Sequence, residues 1–253
     1  MRTLLCPLLL FTAWLTACQP VEPRAGNGVP AERQWPAPAV RRLVVAGPVS
    51  VRVLVGPGFE PSLRVEGDAN LIGALRREVE GQTLSLDATG LSPAVPLHVT
   101  VTTGGLTAVS ASDGAVVTTN GLRGGRLSLE AKAGARVLAN GVDGDWLVVD
   151  ARGGGTVDAA GVVRAVEASA ADVGAVTLGA LAARVALVKA TELSSVTVTA
   201  AEAVRGSATR SSRLELRGEP RLRSVTVDES STLELPARSD ARAQSSRRIP
   251  RPG

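Results

Sequence analysis

Between about Gly104 and Leu235 the sequence repeats with a period near 20 residues, and this restricts the fold more than any other property of the chain. The phrases GLRGGRLSLEAKAGARVLAN (121–140), GVDGDWLVVDARGGGTVDAA (141–160) and GVVRAVEASAADVGAVTLGA (161–180) line up, and two looser copies run on to residue 220. A fixed period of this size marks an architecture in which each unit buries its apolar face against its neighbours. One small residue per repeat sets the phase: Ala111, Ala131, Ala151, Ala170, Ala190, Ala208 and Val227, with steps of 20, 20, 19, 20, 18 and 19. Mostly apolar residues stand four and two positions before each anchor and six and eight after it, as Leu127, Leu129, Val137 and Ala139 do around Ala131. Between the two groups a corner is marked by Gly114, Gly134, Gly154, Gly174, Ser194, Ser211 and Ser230.

Alternation with period two, punctuated by Gly or Ser, predicts at least two short strands and a corner per repeat. The connections are too short for crossover helices, so each strand pairs in parallel with its counterpart one repeat later. The expected fold is all-β: a single-stranded, right-handed parallel β-solenoid of about seven coils of about 20 residues, with an N-terminal β-rich capping region. At about 3.3 Å per residue such a coil has a perimeter of roughly 65 Å, a narrow interior that suits stacked alanines. The segment Ala180–Ala190 also fits an amphipathic helix with Leu181, Val185 and Val188 on one face, but the strand frame holds on both sides of it.

Upstream, residues 1–17 read as a signal peptide, with Arg2 before an apolar run from Leu4 to Leu15 that is too short to span a bilayer. The run ends in Leu15-Thr16-Ala17-Cys18, which resembles the bacterial lipobox. That resemblance implies a diacylglyceryl group on the Cys18 thiol, cleavage before Cys18 and acylation of the new amine, with palmitate-type chains as the membrane anchor. Cys6 is lost with the signal, which leaves no disulfide and no cysteine metal site. Gln19 stands where an Asp would retain such a protein in the inner membrane. The expected location is therefore the cell envelope, at the outer membrane of a bacterium that has one. Residues 18–39 are rich in Pro and polar residues and read as a lipid-anchored linker, with Trp35 packing on the domain. The domain spans 40–235, and 236–253 is a polar, Arg-rich tail read as disordered.

Strands are expected at Leu43–Val45, Val49–Val55, Leu63–Gly67, Thr83–Asp87 and Leu97–Val101, with Asp68-Ala69-Asn70 capping a short helix that carries Leu71, Ile72 and Leu75 to about Glu78. The order V-x-G-P-V-x-V-x-V (45–53), VEGDANL (65–71), EVEGQTLSL (78–86) and P-L-x-V-x-V (96–101), followed by Gly-rich repeats, resembles the bacterial GIN domain, also called an autotransporter adhesin head domain. The resemblance covers about residues 40–235 and implies a β-solenoid on an envelope protein. The Gly-Ser-Gly corner common in that family has drifted here to AGA, GGG, VGA and LSS.

Little in the chain points to catalysis. His98 is the only histidine, so no Ser/His/Asp or Cys/His set can be assembled. No zinc site, other metal site or cofactor site is expected. Asp143, Asp145, Asp150 and Asp158 surround a GGGTVD phrase that is half of a calcium-binding solenoid repeat, but the phrase is not repeated. Glu130, Asp150, Glu167 and Glu192 are expected on a solvated face. Aromatic residues make up 2% of the chain, which argues against a carbohydrate cleft with stacking platforms. The formal charge is +4, and much of the excess sits in the tail, so no nucleic-acid partner is expected. The leading reading is a non-enzymatic envelope lipoprotein that presents its solenoid as an adhesion or scaffold surface, with the membrane and an envelope protein or polysaccharide as partners. An envelope ligand-binding or signalling module comes second, and a solenoid polysaccharide-degrading enzyme third.

Overall fold

The computed structural model describes residues 23–236. Strand accounts for 68% of the structure and helix for 2%. The first part of the chain contains β1 (Arg24–Ala25), β2 (Pro30–Pro36), β3 (Arg42–Ala46), β4 (Ser50–Val55), β5 (Ser62–Asp68), α1 (Ala69–Ile72), β6 (Arg76–Glu80), β7 (Thr83–Asp87), β8 (Leu91–Ser92) and β9 (His98–Thr103). The repeats contain β10 (Ala108–Ser112), β11 (Val116–Asn120), β12 (Arg123–Lys132), β13 (Arg136–Arg152), β14 (Thr156–Ala170), β15 (Ala175–Thr191), β16 (Ser195–Thr209), β17 (Arg213–Arg217), β18 (Leu222–Val227) and β19 (Thr232–Glu234).

These strands wind into a β-solenoid of about six turns. All of the anchors stack in parallel register: Ala111 on Ala131, then Ala151, Ala170, Ala190, Ala208 and Val227. The six alanines are fully buried, as are the flanking apolar residues Leu127, Leu147, Val166 and Ala186. The segment Ala180–Ala190 is strand, within β15, because Leu181, Ala183, Ala186 and Val188 fill the same interior columns as their counterparts. The seventh coil is only half built. At the inward position of its β18 stands Arg223, which is exposed, and Leu235 is 50% exposed. A charge in an interior column cannot carry another coil, which explains six turns where about seven were expected.

Each coil has a third short side that the two-strand reading did not separate. Val142–Gly144 pairs with 161–163, and those with 181–183, at interior positions filled by Val142, Val163 and Leu181. Register shifts fall between Ala139 and Val142, Asp158 and Gly161, and Leu178 and Ala182. The variation in repeat length is absorbed at this bend, so the anchor columns stay aligned.

The corners after the anchors place two residues in the left-handed region, for example Gly153 and Gly154 (φ 57° and 74°), then Asp172 and Val173 (50° and 64°). Gly174 and Ser194 therefore mark the next position, equivalent to Gly155. There a Cβ on Gly155 or Gly174 would stand 2.2 Å from the carbonyl oxygen of Ala131 or Ala151. Ser194 and Ser212 instead donate their hydroxyls to the corresponding carbonyls of Ala170 (2.9 Å) and Ala190 (3.0 Å).

The stack does not follow chain order at its start. The coil made by β3 and β4 lies between β7–β9 on one side and β10–β11 on the other, so Val45 contacts both Leu86 and Ala111 in register. Beyond β7 and β9 the parallel stack is closed by antiparallel strands: β6 on β7, β5 on β9, and β2 on β5. Two expectations change here. The stretch 18–39 is not wholly linker, since β1 pairs with β8 and residues 30–36 form an edge strand, bracketed by Pro30 and Pro36 where no ladder donor is needed. The helix ends at Ile72 with Gly73 as its C-cap, and Arg76–Glu80, mostly charged and exposed at every position, is an edge strand.

Candidate functional site

Cys18, the expected lipidation site, lies outside the described residues, as does the tail beyond Pro236. His98 is exposed on the outer side of β9, opposite Glu66 of β5 and Ser50 of β4. A shallow open groove there is lined by Arg52, Thr100 and Thr118 as well. The guanidinium of Arg64 is held by Glu32 and Glu66, each at 2.8 Å. The groove thus contains a lone imidazole and a carboxylate already committed to an arginine, with no nucleophile activated by either.

The four aspartates around the GGGTVD phrase are not brought together. Asp143 and Asp145 lie on the third side, Asp158 is exposed on the strand after the corner, and Asp150 is on the anchor strand. Asp150 binds Arg152 at 2.7 Å and accepts from the Ser169 hydroxyl at 2.8 Å. Among the described residues no group of three or more His, Cys, Asp or Glu side chains is placed to hold a metal ion. Of the four acidic residues expected on a solvated face, Glu130 and Asp150 stack directly in register. Glu167 stands one column over, in register with Val148, and Glu192 pairs with Arg210 at the corner. Partial burial pushes the Glu130 carboxyl up, but hydrogen bonds from Lys132 and Ser110 outweigh it and leave the carboxyl below its ordinary value. This is the environment of a structural surface carboxylate. A general acid would need its proton held near neutral pH.

What the repeats offer is area. The strand after each corner presents Thr118, Leu138, Asp158, Thr177, Thr197 and Glu215 in one outward column. Where the third side meets the anchor strand, each coil presents an exposed charged residue, Asp145, Arg164 or Arg184, followed by an apolar one in register, half-buried Trp146, buried Ala165 or half-buried Val185. Neighbouring charges pair across coils, Arg184 with Glu202 at 2.8 Å. These surfaces can make many weak, regularly spaced contacts.

One constellation was missed in the sequence. Asp68, read there as a helix cap, makes no side-chain bond to the helix. It is fully buried and accepts the backbone N–H groups of Gly28 (2.6 Å), Ala94 (2.9 Å) and Val95 (3.0 Å). Asn70 accepts the N–H of Asn27 at 3.0 Å and donates to the carbonyl of Ala25 at 2.9 Å. The phrase VEGDANL is therefore a latch that fastens the segment arriving from Cys18 into the cap. Its signal was the Asp-x-Asn spacing at the mouth of a four-residue helix, too short to need two polar caps.

The family model described as "Putative auto-transporter adhesin, head GIN domain" matches residues 41–220. No curated protein sequence matches the chain. Among solved structures, a "putative adhesin" from Bacteroides fragilis NCTC 9343 is similar with a TM-score of 0.75 at 16% identity, over 83% of this chain and 99% of the other. A "putative adhesin" from Parabacteroides merdae ATCC 43184 gives 0.62 at 16% identity, over 84% and 98%. A "putative lipid binding protein" from Parabacteroides distasonis ATCC 8503 gives 0.63 at 17% identity, over 84% and 99%. At these identities the likeness is one of fold.

Proposed function

The chain belongs to the family of auto-transporter adhesin head GIN domains, and from that premise we propose that it is a non-enzymatic envelope lipoprotein, anchored through Cys18, whose rigid solenoid serves as an adhesion or scaffold surface. The observation that carries this reading is the polarity of the stack. The segment from Cys18 enters at the capped end and is latched there by Asp68 and Asn70. Eleven strands then lie side by side from β2 to β19, a rise of roughly 48 Å at about 4.8 Å per step. A protein anchored at the cap holds its repeats away from the membrane and exposes broad, flat faces with no converging acid and base. Three acyl chains on Cys18 would hold it stably, since two already suffice.

Two measurements test this. Clickable palmitate should label the wild type and leave Cys18→Ser unlabelled and released from membranes; labelling of the serine variant overturns the anchor. Cells producing the protein should attach to host-cell or abiotic surfaces better than a deletion strain, and equal attachment overturns the adhesion role. Robust turnover of pectin, alginate, peptidoglycan or chitin by the purified protein would contradict the non-enzymatic reading.

A further inference from the structure

The outer, stepped layer of the cap consists of β6 on β7 and, one strand further out, β2 on β5, each with one free edge, together with the loop between β4 and β5. This layer exposes large apolar side chains at separate points: Val29 (54% exposed), Phe59 (50%) and Val79 (44%). Trp35 of β2 is half-buried, and the guanidinium of Arg77 from β6 lies over its ring, 3.7 Å from the centroid. An indole joined to an arginine is apolar across its body and charged at its rim, as suits the boundary between lipid headgroups and acyl chains. Charge on the two strands is balanced: Arg33, Arg76 and Arg77 against Glu32, Glu78 and Glu80. An attraction that depended on anionic lipid would need a cationic excess.

We propose that this outer surface of the cap, centred on Trp35, Phe59 and Val79, rests in the headgroup region of the phospholipid bilayer that carries the protein's own anchor. The inference depends on the anchor reading above. It adds the surface that meets the bilayer and the chemistry by which it does so. Chain length is the geometric argument. Arg24 donates its N–H to the Gly90 carbonyl at 2.7 Å, and Gly28 is fixed by Asp68. The six residues from Cys18 to Arg24 can extend at most about 21 Å, so an anchored cap cannot leave the vicinity of the membrane. Tethering of this kind turns a contact too weak to recruit a free protein into one that is occupied most of the time. The free edges of β2 and β6 would find their partners among headgroups and interfacial water. Because the charges balance, the contact should form on zwitterionic lipid and survive added salt.

The test uses the mature chain, residues 18–253, in which Cys18 is the one thiol. Trp146→Phe leaves Trp35 as its single tryptophan. The thiol is coupled to maleimide-lipid in phosphatidylcholine vesicles, with and without acyl chains brominated just below the headgroups. Trp35 emission is expected to shift to the blue and to be quenched by the brominated lipid, in low and high salt alike. The double variant Phe59→Ser, Val79→Ser should lose that quenching while keeping the circular dichroism spectrum of the parent. Unquenched Trp35 in the coupled parent overturns the proposal, as does full quenching in the double variant. Since coupling replaces natural acylation, quenching here together with an unlabelled wild type in the palmitate experiment would support the contact surface and overturn the anchor alone.

Discussion

At the capped end, the last parallel strands β7 and β9 are covered by antiparallel β6 and β5, with β2 beyond; at the open end, β18 and β19 have nothing stacked on them among the described residues. The cap protects its edges by prolines at both ends of β2 and by a β6 made of Arg, Arg, Glu, Val and Glu. The open end places Arg223 in the interior column that runs through Leu127, Leu147, Val166, Ala186 and Val204. Both devices stop further strands from adding, but only the cap sends side-chain hydrogen bonds, from Asp68 and Asn70, into the segment leading to Cys18. The difference assigns roles: one end is built to fasten the incoming segment and the other merely to stop.

The largest disturbance is expected midway between the ends, where neither device helps. Ala151→Arg puts an unpaired charge between Ala131 and Ala170 and should cost several kcal/mol, enough to abolish cooperative folding in urea melts. Asp68→Ala comes next. It leaves three backbone N–H groups without their acceptor and should cost about 3 kcal/mol, with new protease cleavage between residues 24 and 29. Cleavage confined to the open end would show that the latch has been misassigned. Arg223→Val restores an apolar column at the open end and should leave stability within about 1 kcal/mol. It should also produce concentration-dependent association in sedimentation velocity; a strictly monomeric variant would mean that Arg223 does not guard that edge.

Acid should loosen the open end. The Asp228 carboxyl is held down to about 2 by the Ser231 hydroxyl first, then by the Arg210 N–H and by Ser230. A depressed carboxyl contributes its full stabilisation above the unfolded value of 3.8 and loses it as pH falls toward about 2. Hydrogen exchange around residues 210–212 and 228–231 is therefore expected to rise through that window. The smallest effect belongs to Arg152→Ala. Its side chain is 56% exposed and pairs with Asp150 at the surface, so the change should stay below about 0.5 kcal/mol. A cost equal to that of Ala151→Arg would mean that the inward and outward positions have been exchanged.

The repeats were legible because a solenoid writes its interior into a period: Ala131, Ala151 and Ala170 occupy one column for the same steric reason. The third side was harder to read, since the bend after Ala139 or Asp158 shifts the alternation by a residue and breaks the simple pattern. At the corners, Val173 and Leu193 stand at positive φ and are mostly exposed, so the position that glycine fills in Gly154 carries no glycine signal there. At the cap, antiparallel pairing joins segments far apart in sequence, such as Trp35 with Leu63, and no local rule predicts such a partner. Asp68 illustrates the limit: Asp before a helix reads as a cap, and only tertiary contact redirects its carboxylate to Gly28, Ala94 and Val95.

The most direct test of the account measures how far each end stands from the bilayer. In acylated protein the Cys18 thiol is blocked, so a single cysteine introduced at exposed Glu80 in the cap or at exposed Glu229 at the open end takes one fluorescent label. Energy transfer to acceptor-labelled lipid headgroups should be strong from position 80 and weak from position 229, consistent with a separation of roughly 48 Å along the stack. Equal transfer from the two positions, or stronger transfer from 229, would contradict an account in which the cap faces the membrane and the repeats stand away from it.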